Sequence, residues 1–287
     1  MTETKVETPG RDAPAAPRPG SSREGEPAPV ETDRPILEVE GVSKSFGAVQ
    51  ALYKVDFEVR AGEVMALVGD NGAGKSTLIK GIAGIHAFDE GEIRFDGRRV
   101  TIHSPRDSAG LGIEVVYQDL ALADNLDVVA NMFLGRERLN GLVLDEPNME
   151  QAARETLDGL SVTSLRSVRQ AVAGLSGGQR QAVAVAKAVM WNSRVVILDE
   201  PTAALGVAQT RQVLDLVRRL GDRGLGVVII SHNLHDVFEV ANRITVLRLG
   251  QSVGVFRRAD TSQQEIVHAI TAGTLEHVPG MGEGAEA

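Results

Sequence analysis

Two periodicities divide the chain. Val55, Phe57 and Val59 alternate with Asp56, Glu58 and Arg60, a period of two that fits a strand with one face buried and the other in water. Ile36, Leu37 and Val39 open in similar fashion, so the region 36–60 reads as β-rich. Residues 64–68, 194–198, 226–230 and 243–247 are instead nearly continuous apolar runs. Strands of that kind belong to parallel sheets covered on both faces. Between them the helical period takes over at 76–84, 105–111, 127–133, 149–160, 180–190, 207–220, 233–240 and 262–271. Shorter strands are predicted at 92–95, 100–102, 113–117 and 252–256, whereas 119–174 shows helical patterns and no strand. Strands alternating with helices predict an α/β fold: a mainly parallel sheet flanked by helices, with an N-terminal antiparallel β region and a helical insertion.

Composition changes this picture mainly at the ends. Residues 1–34 hold six of the eleven prolines and hardly any large apolar side chain; such a segment cannot bury enough surface to offset its conformational entropy. It is predicted to be a disordered leader, and 275–287 a disordered tail, around one domain at 35–274 with a helical subdomain at about 119–190. The net charge is −9, of which the two ends carry five. The body is thus only mildly acidic and points to no nucleic-acid partner. Zero cysteines exclude disulfides, thiolate metal sites and thiol nucleophiles. No apolar run reaches the ~18 residues of a membrane span, and the N-terminus is polar rather than signal-like, so a cytoplasmic protein is expected.

Chemistry enters at Gly69-Asp70-Asn71-Gly72-Ala73-Gly74-Lys75-Ser76-Thr77, a complete G-x-x-x-x-G-K-[ST] phosphate loop between a strand pattern and a helix pattern. Its glycines let backbone N–H groups curl inward at phosphate oxygens, and the helix opening at Lys75 adds its positive end. Lys75 is expected to reach the β- and γ-phosphates, and the Ser76 hydroxyl to hold a magnesium ion. Asp199 and Glu200 follow the buried strand at 194–198, placing Asp199 to hold magnesium and Glu200 to polarise water. Gln118 and His232 stand just past two other strands, where α/β folds place ligand contacts; a Gln there is more often a loop residue, and a His232–His235 metal pair would lack a third ligand. Phe46 either stacks on a purine or sits at the edge of the core. Leu175-Ser176-Gly177-Gly178-Gln179 opens a long helix, as a plain cap or as a second anion site. The letters Leu198-Asp199-Glu200-Pro201 recur at Leu144-Asp145-Glu146-Pro147; this copy precedes a helix pattern and is assigned to helix initiation.

In that order the phosphate loop, Gln118, Leu175 to Gln179, Asp199, Glu200 and His232 resemble the ATP-binding subunit of an ABC transporter, over roughly residues 36–272. The resemblance implies the P-loop NTPase architecture, ATP and Mg2+ as cofactors, and a head-to-tail, ATP-dependent homodimer in which each ATP lies between one subunit's phosphate loop and the other's Leu175, Ser176, Gly177, Gly178 and Gln179. It makes Phe46 the adenine-stacking aromatic, Gln118 the γ-phosphate sensor and a third magnesium contact beside Ser76 and Asp199, Glu200 the catalytic base and His232 the switch. The wording at 117–122, 131–136 and 201–206 is similar to bacterial monosaccharide importers of the ribose, xylose and fructose type. That implies membrane permease subunits and, indirectly, an extracytoplasmic sugar-binding protein as partners, with the chain on the inner face of the cell membrane. A non-transport ABC ATPase, or a subunit for a different solute, is the alternative. Residues 119–135, with Leu120, Leu122 and Phe133, are expected to line the groove for a permease helix. Two departures stand out: each motif occurs once where many such subunits are tandem duplications, and Gly206 replaces the aspartate that often ends the stretch after the catalytic Glu.

Overall fold

The computed structural model describes residues 1–2, 34–162 and 164–273. Of the predicted leader and tail, all but Met1, Thr2 and Arg34 lie outside the described residues.

Strand β1 (Pro35–Phe46) turns back into β2 (Val49–Arg60), with Val39 opposite Phe57 and Phe46 opposite Val49. The period of two is realised directly: Val55, Phe57 and Val59 are buried, while Asp56, Glu58 and Arg60 are not. After β3 (Val64–Val68) and α1 (Lys75–Ile82) come β4 (Glu90–Phe95) and β5 (Arg98–Val100), which complete an antiparallel sheet of order β2-β1-β4-β5. The strand predicted at 100–102 is displaced to Arg98–Val100: the ladder ends at the pair Ile93 and Val100, beyond which Ile102 turns into the core.

Next follow α2 (Pro105–Gly110), β6 (Ile113–Val116) and α3 (Val128–Phe133). The insertion is not free of strand, as a short exposed hairpin, β7 (Leu139–Asn140) and β8 (Val143–Leu144), interrupts it. Helix α4 (Glu146–Gly159) starts three residues earlier than predicted because Asp145 caps it, accepting from Asn148 N, and Pro147 suits the first turn. The Leu144-Asp145-Glu146-Pro147 stretch thus initiates a helix, as read from its context. Then come α5 (Gly177–Val189), β9 (Val195–Asp199), α6 (Val207–Asp222), β10 (Gly226–Ile230), α7 (Leu234–Val240), β11 (Arg243–Arg248), β12 (Gln251–Arg257) and α8 (Gln263–Ala272).

Six strands form the central sheet in the order β12-β11-β3-β10-β9-β6, parallel throughout except for β12. Its continuous apolar strands serve two cores by turns. Val64, Ala66 and Val68 face one core, with Val196, Leu198, Val227 and Ile229, together with buried residues of the insertion and of α6 to α8. Met65 and Leu67 face the other, with Ile197, Val228, Leu78 of α1 and the antiparallel strands. Each such valine, leucine, isoleucine or methionine contributes ~1.5–3 kcal/mol by leaving water, so the strands are held from both sides. Because the sheet is parallel, the carboxyl ends of β3, β6, β9 and β10 emerge along one edge, where α/β folds bind ligands. Among the described residues no helix is long and apolar enough to cross a membrane.

Candidate functional site

The phosphate loop leaves the carboxyl end of β3 with Gly69, Gly72 and Gly74 at φ of 152°, 82° and 103°, values that L side chains rarely adopt. Space is as restrictive as dihedral angle: a Cβ on Gly69 would lie 2.2 Å from the Leu247 carbonyl oxygen, and one on Gly74 2.9 Å from that of Ala51. Gly250 N–H donates to the Ala73 carbonyl at 3.0 Å, so the β11–β12 turn braces the loop from outside. Lys75 folds back over it and donates to the carbonyl oxygens of Gly69 (2.6 Å) and Asp70 (3.0 Å). Burial holds the Lys75 amine below its ordinary pKa, opposed first by Glu200, then by Asp199 and Asp70. The carboxylates at the end of β9 are therefore within electrostatic reach of the lysine.

Asp199 ends β9 and Glu200 turns out of it with φ of 49°, a left-handed conformation that costs a non-glycine residue of order 1–3 kcal/mol. Glu200 N–H donates to the Ile230 carbonyl at 2.9 Å, joining the ends of β9 and β10. At the end of β10 His232 Nδ1 stands 2.9 Å from Glu200 Oε2. The Glu200 side chain is 16% exposed and that of His232 74%, so a mostly buried carboxylate meets a histidine open to the cleft. Asp199 has its pKa raised, by burial first and then by Glu200, with Lys75 opposing. Behind these residues Thr202 Oγ1 donates to Asp236 Oδ2 at 2.7 Å, both buried.

Gly69, Asp70, Asn71, Gln118, Glu200 and His232 line one cleft of about 530 Å³. Four strand ends thus converge as the sequence suggested, with Gln118 exposed in a bend on the cleft wall. Val68, Ala203, Ser231 and Leu234 also line it, as do Val267, Ile270 and Thr271 of α8; the three α8 residues escape a sequence reading because nothing distinguishes them from an ordinary amphipathic helix. The Ser76 hydroxyl and the Asp199 carboxylate are hard oxygen donors, and a carboxylate raised in pKa beside a second one suits a small divalent cation. His232 and His235 belong to no group of three or more metal-ligating side chains among the described residues.

Phe46 is half exposed at the end of β1, edge-on to His86 with centroids 5.4 Å apart. It stands at the tip of the hairpin whose second strand brings Ala51 and Leu52 against Gly74.

Leu175 to Gln179 do not line the cleft. Ser176 caps α5 in a reciprocal box: Gln179 N–H donates to Ser176 Oγ at 3.3 Å, and Ser176 N–H to Gln179 Oε1 at 2.9 Å. Gly177 is exposed at the helix start, whereas Gly178 packs on Gln209. The Leu175 side chain is buried, leaving its backbone to meet any ligand. Gly206 opens α6 with no side-chain cap. One reading of the insertion needs correction: Phe133 is fully buried, edge-on to Trp191 at 5.5 Å, so it lines no groove, while Leu120 and Leu122 are half-buried.

Comparison with known proteins gives concordant results. The family described as ABC transporter matches residues 52–203. The chain is 47% identical over 243 residues to the xylose/arabinose import ATP-binding protein of Sulfolobus acidocaldarius, covering 85% of this chain and 96% of that one. To the fructose import ATP-binding protein of Rhizobium meliloti it is 48% identical, covering 83% and 94%. A ribose import ATP-binding protein of Rubrobacter xylanophilus is 46% identical, but there the match spans 85% of this chain and only 48% of the relative. Among solved structures, a nucleotide-free ATP-binding cassette from an ABC transporter superposes with a TM-score of 0.71 at 28% identity, covering 78% of this chain and 92% of that one. A dimeric cassette in a post-hydrolysis state, bound to ADP and phosphate, gives 0.65 at 25% identity, covering 77% and 98%.

Proposed function

Starting from the fact that this chain belongs to the ABC transporter family, we propose that it is the ATP-hydrolysing subunit of a monosaccharide importer, the class named by its xylose/arabinose, fructose and ribose relatives. The observation that carries the catalytic half of this reading is the Glu200 carboxylate, 2.9 Å from His232 at the wall of the phosphate-loop cleft. Backbone N–H groups of Gly69 to Thr77 and the Lys75 amine receive the β- and γ-phosphates. Ser76 and Asp199, together with Gln118, would hold a magnesium ion, which when bound would neutralise charge on those oxygens. Glu200 orients a water whose oxygen bonds to the γ-phosphorus as the bond to the bridging oxygen breaks; the water proton passes to Glu200, and ADP and phosphate leave. With Nδ1 engaged by Glu200, His232 offers Nε2 to the γ-phosphate side. Phe46 serves as the platform for adenine.

Ser176, Gly177 and Gln179 lie outside the cleft of their own chain and serve the nucleotide of a second copy, so the working unit is an ATP-dependent homodimer. It binds permease subunits at the inner face of the cell membrane through a groove that includes Leu120 and Leu122, and an extracytoplasmic binding protein delivers the sugar to the permease. Magnesium, permease, binding protein and membrane face are all parts of this reading. The test is transport: the subunit reconstituted with its permease in liposomes, supplied with ATP, the sugar-binding protein and labelled xylose, ribose or fructose. One of these sugars is expected to accumulate, and Lys75→Ala to abolish it. ATP hydrolysis without accumulation of any monosaccharide would exclude this class of substrate.

A further inference from the structure

Three ties join the loops that follow β9 and β10. Two of them involve Glu200 itself, through its N–H to the Ile230 carbonyl and its carboxylate to His232. The third lies deeper and reaches no ligand: Thr202 Oγ1 donates to Asp236 Oδ2 at 2.7 Å, with Thr202 9% and Asp236 3% exposed. Neither residue lines the cleft. Their placement is specific all the same. Thr202 is two residues beyond Glu200, and Asp236 stands in the first turn of α7, four residues beyond His232.

The segment between Glu200 and Leu205 has reason to need a clamp. Glu200 and Ala204 both hold left-handed backbone, at φ of 49° and 60°, and such conformations persist only where surrounding contacts impose them. The turn's own hydrogen bonds, Ala203 N–H to the Glu200 carbonyl and Leu205 N–H to the Thr202 carbonyl, close it on itself without tying it to the rest of the chain. The Thr202 side chain makes that connection. On the other side, Thr202 is the one donor to the Asp236 carboxylate among the described residues. A buried carboxyl with a single hydroxyl partner is a strong restraint, because breaking the bond leaves a buried polar group unsatisfied.

We propose that the Thr202–Asp236 hydrogen bond is a positioning latch that sets the separation of Glu200 and His232 for hydrolysis, with neither latch residue touching nucleotide. The inference rests on the reading that Glu200 and His232 act on ATP. If the bond is lost, the turn after β9 and the first turn of α7 move independently, and the water-orienting pair loses its geometry while the phosphate loop, carried by β3 and α1, keeps its own. The signature is therefore a fall in turnover with nucleotide affinity retained.

The experiment uses the full chain with magnesium and ATP. Thr202→Val, which keeps the shape and removes the hydroxyl, is expected to lower kcat about 10- to 100-fold, the range that misplacement by up to about 1 Å produces, with KM for ATP within about 2-fold of the parent, since the phosphate loop keeps its own geometry. Thr202→Ser restores the donor and most of kcat. In a His232→Ala background, Thr202→Val costs little more, because the pair it positions has already been dismantled. Should Thr202→Val alone fold poorly, Thr202→Val with Asp236→Leu removes both partners and leaves no unpaired charge; the low kcat must persist there. Parent-level kcat in a folded Thr202→Val or double variant overturns the latch, as does a loss that Thr202→Ser does not rescue, a loss confined to KM, or full multiplication with His232→Ala. The underlying reading fails separately, if Glu200→Gln hydrolyses ATP at the parent rate.

Discussion

Asp199 and Glu200 are adjacent carboxylates in unequal surroundings. Asp199 closes a buried strand, and its carboxyl is pushed above the ordinary range by burial and by Glu200, with Lys75 only partly offsetting them. A carboxyl whose folded-state pKa lies above its unfolded value adds stability only while it is protonated. That stability is complete below the unfolded pKa, ~3.9 for Asp, and is lost as the pH rises through the raised folded value. At neutral pH an ionised Asp199 therefore lowers the stability of the nucleotide-free protein. Asp199→Asn is expected to raise Tm at pH 7, and the gap to the parent should close as the pH falls into the ordinary carboxylate range. The same change should reduce magnesium-dependent hydrolysis by about 10–100-fold. Thermal melts across pH, read beside ATPase rates, check both halves; a variant less stable than its parent at pH 7 would show that the Asp199 charge is fully compensated before any cation binds.

At the scale of elements, the phosphate loop makes two kinds of demand on glycine. Gly72 holds φ of 82° with open space around a would-be Cβ, so Gly72→Ala bears only the left-handed penalty of ~1–2 kcal/mol. Gly69 holds φ of 152°, and its Cβ would drive into the Leu247 backbone at 2.2 Å, which β11 cannot yield without shifting its pairing with β3. Gly69→Ala is expected to lose more stability than Gly72→Ala in urea melts of the nucleotide-free protein, and equal losses would mean that β11 gives way. The phosphate loop and the Asp199-Glu200 pair were legible in the sequence because each follows directly on a nearly continuous apolar run, and His232 because only Ser231 separates it from another. The β7–β8 hairpin was not. Its strands are two residues long and exposed, so no period can establish itself, although Asn140-Gly141 between apolar residues is a hairpin signal. Phe133 was misjudged for a different reason: a six-residue helix shows apolar positions without showing what covers them, and its cover, Trp191, arrives from the far end of α5. The Thr202–Asp236 bond joins side chains 34 residues apart, a separation at which no local pattern registers.

On the reading proposed above, the molecule as a whole presents two anion-binding elements that its own fold keeps apart. The cleft gathers the phosphate loop with Gln118, Glu200 and His232, and none of Leu175 to Gln179 is among its walls. The second element is the start of α5, a helix of 13 residues whose capping box leaves Ser176 and Gly177 exposed at its positive end. A head-to-tail pair of chains would set each of these against the other's cleft, and a triphosphate would then fill the gap between positive groups from two subunits. On this arrangement assembly depends on ATP, and its lifetime depends on hydrolysis. Glu200→Gln keeps the shape of the side chain but removes the charge that draws a proton from water, so ATP should bind and persist, and the protein should accumulate as a dimer. Lys75→Ala removes the amine that reaches the γ-phosphate and should remain monomeric at the same nucleotide concentration. Light scattering with and without ATP distinguishes the two, with hydrolysis of Glu200→Gln expected to fall ~100-fold or more, as when a transition-state contact is removed. A Glu200→Gln protein that stays monomeric in saturating ATP, even with its permease supplied, would leave the start of α5 without a nucleotide to serve and would refute the shared site.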